Sequence, residues 1–189
     1  MIVAGFDVSV NRLGLGLVQT ELRAGRVVLV EMHCAHARIE LSRTGWRHDR
    51  ILQLAQEELL RLDLGRPDAV YIEKPALPRA SGTGAAFDAG RALQCVRSAV
   101  QILGWPDPEL LQPASWKHDA GVDDRKGSTY ADLLKVTKTP PAGKDAKPDV
   151  YLRALDLGFA PEGSQDAADA ALVAVAGAII EHTTREDTP

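Results

Sequence analysis

The chain opens with MIVAGFDVSV, apolar at nearly every position up to Asp7. That is the pattern of a strand buried on both faces, so the chain has to supply cover for both sides of a sheet. NRLGLGLVQT follows a short turn, and a second turn at RAGR leads to VVLVEMHCAHARI. Residues 2 to 39 therefore read as a three-stranded antiparallel meander. SRTGWRHDRILQLAQEELLRLDL then places Ile51, Leu52, Leu54, Ala55, Leu59, Leu60 and Leu62 at helical spacing, and Gly65 with Pro67 ends the helix. DAVYIEK is a short buried strand ending at Glu73, and PALPRASGTG is a loop rich in Pro, Gly and Ser. AAFDAGRALQCVRSAVQILG forms the next helix, and ELLQP a short fifth strand. ASWKHDAGVDDRKGSTYADLLK predicts a turn and a short helix, TKTPPAGKDAK a mobile connection, PDVYLRALDLG a short amphipathic helix and SQDAADAALVAVAGAII the last helix.

That order, three strands, helix, strand, helix, strand and then helices, predicts an α/β fold: a five-stranded mixed sheet flanked by helices. The first strand is the most apolar and lies centrally, and the fourth joins it in parallel through a right-handed crossover. Asp7 and Glu73 then fall at the carboxyl ends of neighbouring parallel strands, where open α/β sheets bind ligands. With 189 residues, 45% of them hydrophobic, the chain reads as one domain over residues 1–189, with 183–189 as a disordered tail. No run of about 18 uncharged apolar residues occurs and no basic stretch precedes the apolar N-terminus, so the expectation is a cytoplasmic protein with no membrane segment. Cys34 and Cys95 stand alone, outside any disulfide or zinc pattern, and read as buried small apolar residues.

The last helix begins with two carboxylates in an otherwise apolar run. Ser164 is a plausible N-cap, and Asp166 and Asp169, three residues apart, project onto one helix face. Small alanines around them let the helix approach the sheet. Four carboxylates, Asp7, Glu73, Asp166 and Asp169, are thus expected to converge from three elements. They cannot all stay ionised side by side without a compensating cation. Oxygen-only ligands favour a hard divalent ion, so the expected cofactor is Mg²⁺, two ions per site, with Mn²⁺ able to replace it. The chemistry such a pair serves is in-line attack of water on a phosphodiester. No organic cofactor is implied.

These residues resemble the RuvC family of Holliday-junction resolvases, nucleases of the RNase H-like superfamily. GFDVSVNRLGLGLV is similar to the family's first strand and turn, AVYIEKP to its fourth strand with the glutamate, and GTGAAFDAGRALQCVRSAV to the helix that follows. QPASWKHDAGVDDRKGSTYADLL is similar to the stretch with basic residues near the active site, with Lys117 and Lys126 in the matching places, and DAADAALVAVA is the closest match. The resemblance implies an RNase H-like fold and a homodimer that cuts two strands of a four-way DNA junction symmetrically with divalent metal. Where family members of the cellular type carry an aromatic wedge after the glutamate, KPALPRASG offers only Leu77, and the connection before the last helix is longer. Together with the acidic pI of about 5.7, these departures look like a divergent phage or prophage version that acts on other branched DNA as well.

A net charge of −4 argues against a uniformly basic surface, yet Lys74, Arg79, Arg91 and Arg97 are opposed only by Asp88 between residues 74 and 97. Lys117 and Lys126 are the first candidates for phosphate contacts, Arg79 and Arg125 the second, and His118 a further one. Trp116 either packs in the core or stacks on a base. Two other classes stay open: a phosphotransferase domain related to the actin-like ATPases, which DVSVNRLGLG fits loosely, and a protein that binds branched DNA without cutting it.

Overall fold

The computed structural model describes residues 1–9, 12–38, 54, 56–57, 65–75, 83–141 and 146–186. Its strands are β1 (Ile2–Val8), β2 (Arg12–Arg23), β3 (Arg26–Arg38), β4 (Ala69–Glu73) and β5 (Glu109–Leu111), in the order β3-β2-β1-β4-β5. β1 pairs antiparallel with β2 and parallel with β4, β2 antiparallel with β3, and β4 parallel with β5. The expected mixed sheet is therefore present, with β1 at its centre. The helices are α1 (Thr83–Ile102), α2 (Pro113–Asp119), α3 (Tyr130–Val136), α4 (Pro148–Asp156) and α5 (Gln165–Glu186), with a 3₁₀ turn at Val122–Arg125. The helix expected over residues 42–64 lies outside the described residues except for Leu54, Gln56 and Glu57, which are helical.

The two-residue period of the strands sorts the core into two halves. Ala4, Phe6, Val8, Leu13, Leu15, Leu17, Val70 and Ile72 share one half with Ala92, Val96 and Ala99 of α1. Val3, Val18 and Tyr71 share the other with Ala171, Leu172 and Ala174 of α5. Both faces of β1 are thus covered, as its unbroken apolar run requires.

On the α5 side the contact is unusually close. Register places Gly5 opposite Gly16 and Asp7 opposite Gly14. A Cβ on Gly5 would lie 2.3 Å from the Ala174 nitrogen, and one on Gly16 2.4 Å from the Ala170 carbonyl oxygen. Helix backbone therefore rests directly on strand backbone, and only glycine in the strands allows it. The alanine-rich sequence of α5 supplies the matching small residues on the helix. Residues 165–185 are long and apolar enough to cross a membrane, but most of that helix is buried in this core.

The ends of α5 follow from local chemistry. Ser164 Oγ accepts from the Ala167 N–H at 3.1 Å, the N-cap bond expected of it. At the other end the Thr183 and Thr184 hydroxyls donate to the Ile179 and Ile180 carbonyls, both at 2.9 Å, and the helix continues through Glu186. Residues 183–186 of the expected tail are thus helical, and residues 187–189 lie outside the described residues. The connection expected to be mobile is tied down at both ends. Tyr151 Oη donates to the Thr139 carbonyl at 3.2 Å, and the Lys147 N–H donates to Gln165 Oε1 at 2.9 Å. Cys34 and Cys95 are buried free thiols.

Candidate metal centre

Parallel pairing of β1 with β4 aligns Phe6 with Ile72, so the next residue on each strand is an acid, Asp7 on one and Glu73 on the other. Alternation turns Asp7 to the same face as Gly5, and Glu73 to the same face as Tyr71, which is the side covered by α5. The glycine contact brings the second turn of α5 down onto that edge, and with it Asp169. Ligand oxygens of Asp7, Glu73 and Asp169 all lie within 4.8 Å of one another. Asp169 is buried, and Asp7 and Glu73 are partly buried.

Burial is the main cause that lifts the Asp7 carboxyl well above the ordinary range, and the charges of Asp169, Glu73 and Asp166 add to it. Glu73 is raised by burial and then by Asp169, against Lys147, Lys117 and Trp116, which pull it down. Asp169 is raised by burial despite Lys147, a bond from Gln165 and Lys117. For Lys147, burial would lower the ammonium's pKa, but Asp169, Asp7 and Glu73 outweigh it and the net shift is upward. Lys147 therefore stays charged at neutral pH, the one ammonium bonded to this group of three carboxylates. Full ionisation of the three leaves a local excess of negative charge that a divalent cation would offset. The donors are all oxygens, with no histidine or cysteine in the group, so the residues fit a hard ion such as Mg²⁺ or Mn²⁺.

Asp166 is not part of the converging group. It lies one helical turn before Asp169 and faces Arg12, 3.7 Å from Nη1, while its charge still acts on Asp7. Of the four carboxylates expected at the site, three converge within 4.8 Å and the fourth, Asp166, faces Arg12 at the rim. Lys147 takes a place that no sequence signal assigned. It stands at the N-cap of α4, its Nζ donates to Asp169 Oδ2, and Gln165 Nε2 donates to Asp169 Oδ1 at 3.1 Å. In sequence it is simply the last lysine of a Pro- and Gly-containing connection.

Among the other candidates, Lys117 stands close enough to lower both Glu73 and Asp169, and its ammonium lies 5.4 Å from the centroid of the Trp116 ring. Lys126 is exposed at the end of the 3₁₀ turn. Arg125 is committed elsewhere: its Nε and Nη2 donate to the two oxygens of Asp156. His118 is exposed, with Nδ1 3.1 Å from Asp123 Oδ2. Arg79 and Leu77 lie outside the described residues. Trp116 resolves to the core alternative, with 0% of its surface exposed. Its indole N–H has no hydrogen-bond partner among the described residues.

No protein-family model matches the chain. Among solved structures, it is similar to Thermus thermophilus RuvC with a TM-score of 0.61 and 24% identity, over 97% of either chain. It is also similar to T. thermophilus RuvC in complex with Holliday junction substrate, with a TM-score of 0.61 and 22% identity, over 100% of this chain and 98% of that one. The chain thus has the RuvC fold over nearly its whole length.

Proposed function

We propose that this chain is a divalent-metal-dependent endonuclease that hydrolyses phosphodiester bonds in four-way or related branched DNA. The observation that carries the reading is the convergence of Asp7, Glu73 and Asp169 within 4.8 Å at the carboxyl ends of two parallel strands. The RuvC fold supports it, and the substrate class is drawn from the Holliday junction bound by T. thermophilus RuvC. Asp7, Glu73 and Asp169 hold Mg²⁺ or Mn²⁺, and Asp166 completes the set when it leaves Arg12. The bound cations supply an activated water and stabilisation of the departing 3′-oxygen.

The protein's own cations have separate tasks. Lys147 holds Asp169 in place and, together with Lys117, offsets charge developing on the scissile phosphate. Lys126 and Arg79 meet the backbone of the DNA arms farther from the reacting bond, and His118 lies beside that path. Arg125 is assigned to Asp156 rather than to DNA. Symmetric cutting of two strands calls for a homodimer, and a cytoplasmic, phage-type resolvase is the biological setting this reading favours.

The test uses labelled four-way, three-way, flap and duplex DNA, each with Mg²⁺, Mn²⁺ or EDTA, and nicks mapped on denaturing gels. Paired symmetric nicks in the four-way junction, dependent on metal, are the result expected of a resolvase. Cutting of all branched forms indicates a broader debranching enzyme. Junction binding with no cleavage in any metal defeats the nuclease reading, and ATP hydrolysis in its place points to the actin-like class.

A further inference from the structure

We infer that the indole N–H of Trp116 is the donor that fixes the Glu73 carboxylate once a divalent cation lies between Asp7, Glu73 and Asp169. This rests on the metal-dependent reading above and assigns Trp116 as a positioning residue, acting through Glu73.

Three observations carry it. First, Trp116 is wholly buried, yet its Nε1 has no hydrogen-bond partner among the described residues. A buried donor left unpaired is a free-energy penalty, and folded proteins rarely keep one without a use. Second, the three carboxylates are held unequally. Both oxygens of Asp169 receive hydrogen bonds, from Lys147 and from Gln165. Among the described residues no such bond reaches the Glu73 carboxylate. Third, the Trp116 side chain is a neighbour of the Glu73 carboxylate, with its N–H not yet engaged. The ring is also capped by the Lys117 ammonium at 5.4 Å from its centroid. The indole therefore sits between a cation and an anion of the site.

A carboxylate that ligates a cation is anionic, and bonds to an ionised carboxylate are shorter and stronger than bonds to a neutral one. A ligating carboxylate needs such a bond to hold its orientation, and loss of such partners typically weakens metal affinity about 10–100-fold. Phenylalanine would fill much of the same space but carries no donor.

The test is made on the protein without DNA. Three tryptophans give three indole ¹H–¹⁵N resonances, and the one lost in Trp116→Phe belongs to Trp116. If that variant does not fold, Trp46→Phe and Trp105→Phe assign the signal by elimination. Titration with Mg²⁺ should move the Trp116 proton downfield and slow its exchange. In parallel, calorimetry measures Mg²⁺ affinity in protein carrying benzothienylalanine at position 116, which keeps the bicyclic shape and replaces N–H by sulfur. Affinity about tenfold weaker, with the metal-free melting temperature unchanged or raised, supports the role. A resonance that stays in place while Mg²⁺ binds, or an analogue that binds as tightly as wild type, overturns it and leaves the nuclease reading intact. Failure of wild-type protein to bind Mg²⁺ overturns both.

Discussion

Replacing Asp7 by asparagine should stabilise the metal-free protein while abolishing cleavage. Two ionised carboxylates at the 4.8 Å limit of this cluster repel by about 3.5 kcal/mol at an effective dielectric of about 20. Asp7 faces two such neighbours and is itself desolvated, with Lys147 opposing. Lys147 offsets part of that repulsion and the surrounding carboxylates relax when one of them is neutral, so the part recovered is placed at about 1–2 kcal/mol near pH 8. For a chain of this length that is about 2–8 °C in melting temperature. The sign of the pH dependence follows from the raised pKa. The folded state keeps the Asp7 proton longer than the unfolded state, so wild-type stability falls as pH rises through the folded pKa. Below about pH 4 both states are protonated and the two proteins should melt together. Thermal melts in EDTA from pH 4 to 8 measure the gap. Saturating Mg²⁺ should reverse the order, since binding at 100 times Kd adds about 2.7 kcal/mol to wild type alone. An Asp7→Asn protein less stable than wild type at pH 8, or a gap independent of pH, refutes the electrostatic reasoning.

Lys147→Met leaves the buried Asp169 without its cation. Because Lys147 is itself 42% exposed, the loss is placed at about 2 kcal/mol, below the usual cost of breaking a buried pair, and an unchanged urea midpoint contradicts it. Gly16→Ala drives a Cβ to 2.4 Å from the Ala170 carbonyl and should cost about 2–3 kcal/mol together with Mg²⁺ affinity, whereas Gly90→Ala, on α1 with open space around it, should be neutral or slightly stabilising in the same melts. The Arg12–Asp166 pair is more than half exposed on the arginine side and contributes at most about 1 kcal/mol, so Arg12→Gln should tighten Mg²⁺ binding by up to about fivefold. Calorimetry giving one affinity for wild type, Arg12→Gln and Asp166→Asn would exclude Asp166 from the metal site.

The sheet was legible because its signals are local. An apolar strand on both faces, a glycine-bearing hairpin partner and a strand ending in glutamate place Asp7 and Glu73 side by side by register alone. Asp169 was legible as part of a helix that had to cover the sheet. The partition between Asp166 and Asp169 was not, because helical spacing puts both on one face and the choice depends on how α5 is rotated over Gly14 and Gly16. Lys147 was illegible for a different reason. Its position is set by a bond between its own N–H and the Gln165 side chain, a contact across 18 residues that no periodicity encodes. The Arg125–Asp156 pair was not legible either, because it joins a 3₁₀ turn to a helix some thirty residues away.

The glycine seam explains why site and instability come together. A Cβ on Gly14 would meet the Asp166 carbonyl oxygen at 2.0 Å, so the first turn of α5 is pressed against β2 by its backbone. That contact fixes the height of Asp169 above Asp7 and Glu73. Larger residues at 5, 14 or 16 would lift the helix, separate the carboxylates and let each regain water, which would relieve the raised pKa values. The fold instead holds the acids close, at a cost Lys147 only partly offsets. Close packing that stabilises the core through dispersion and exclusion of water therefore also creates an anionic site that a divalent cation relieves. The excess negative charge and the packing are two consequences of the same three glycines.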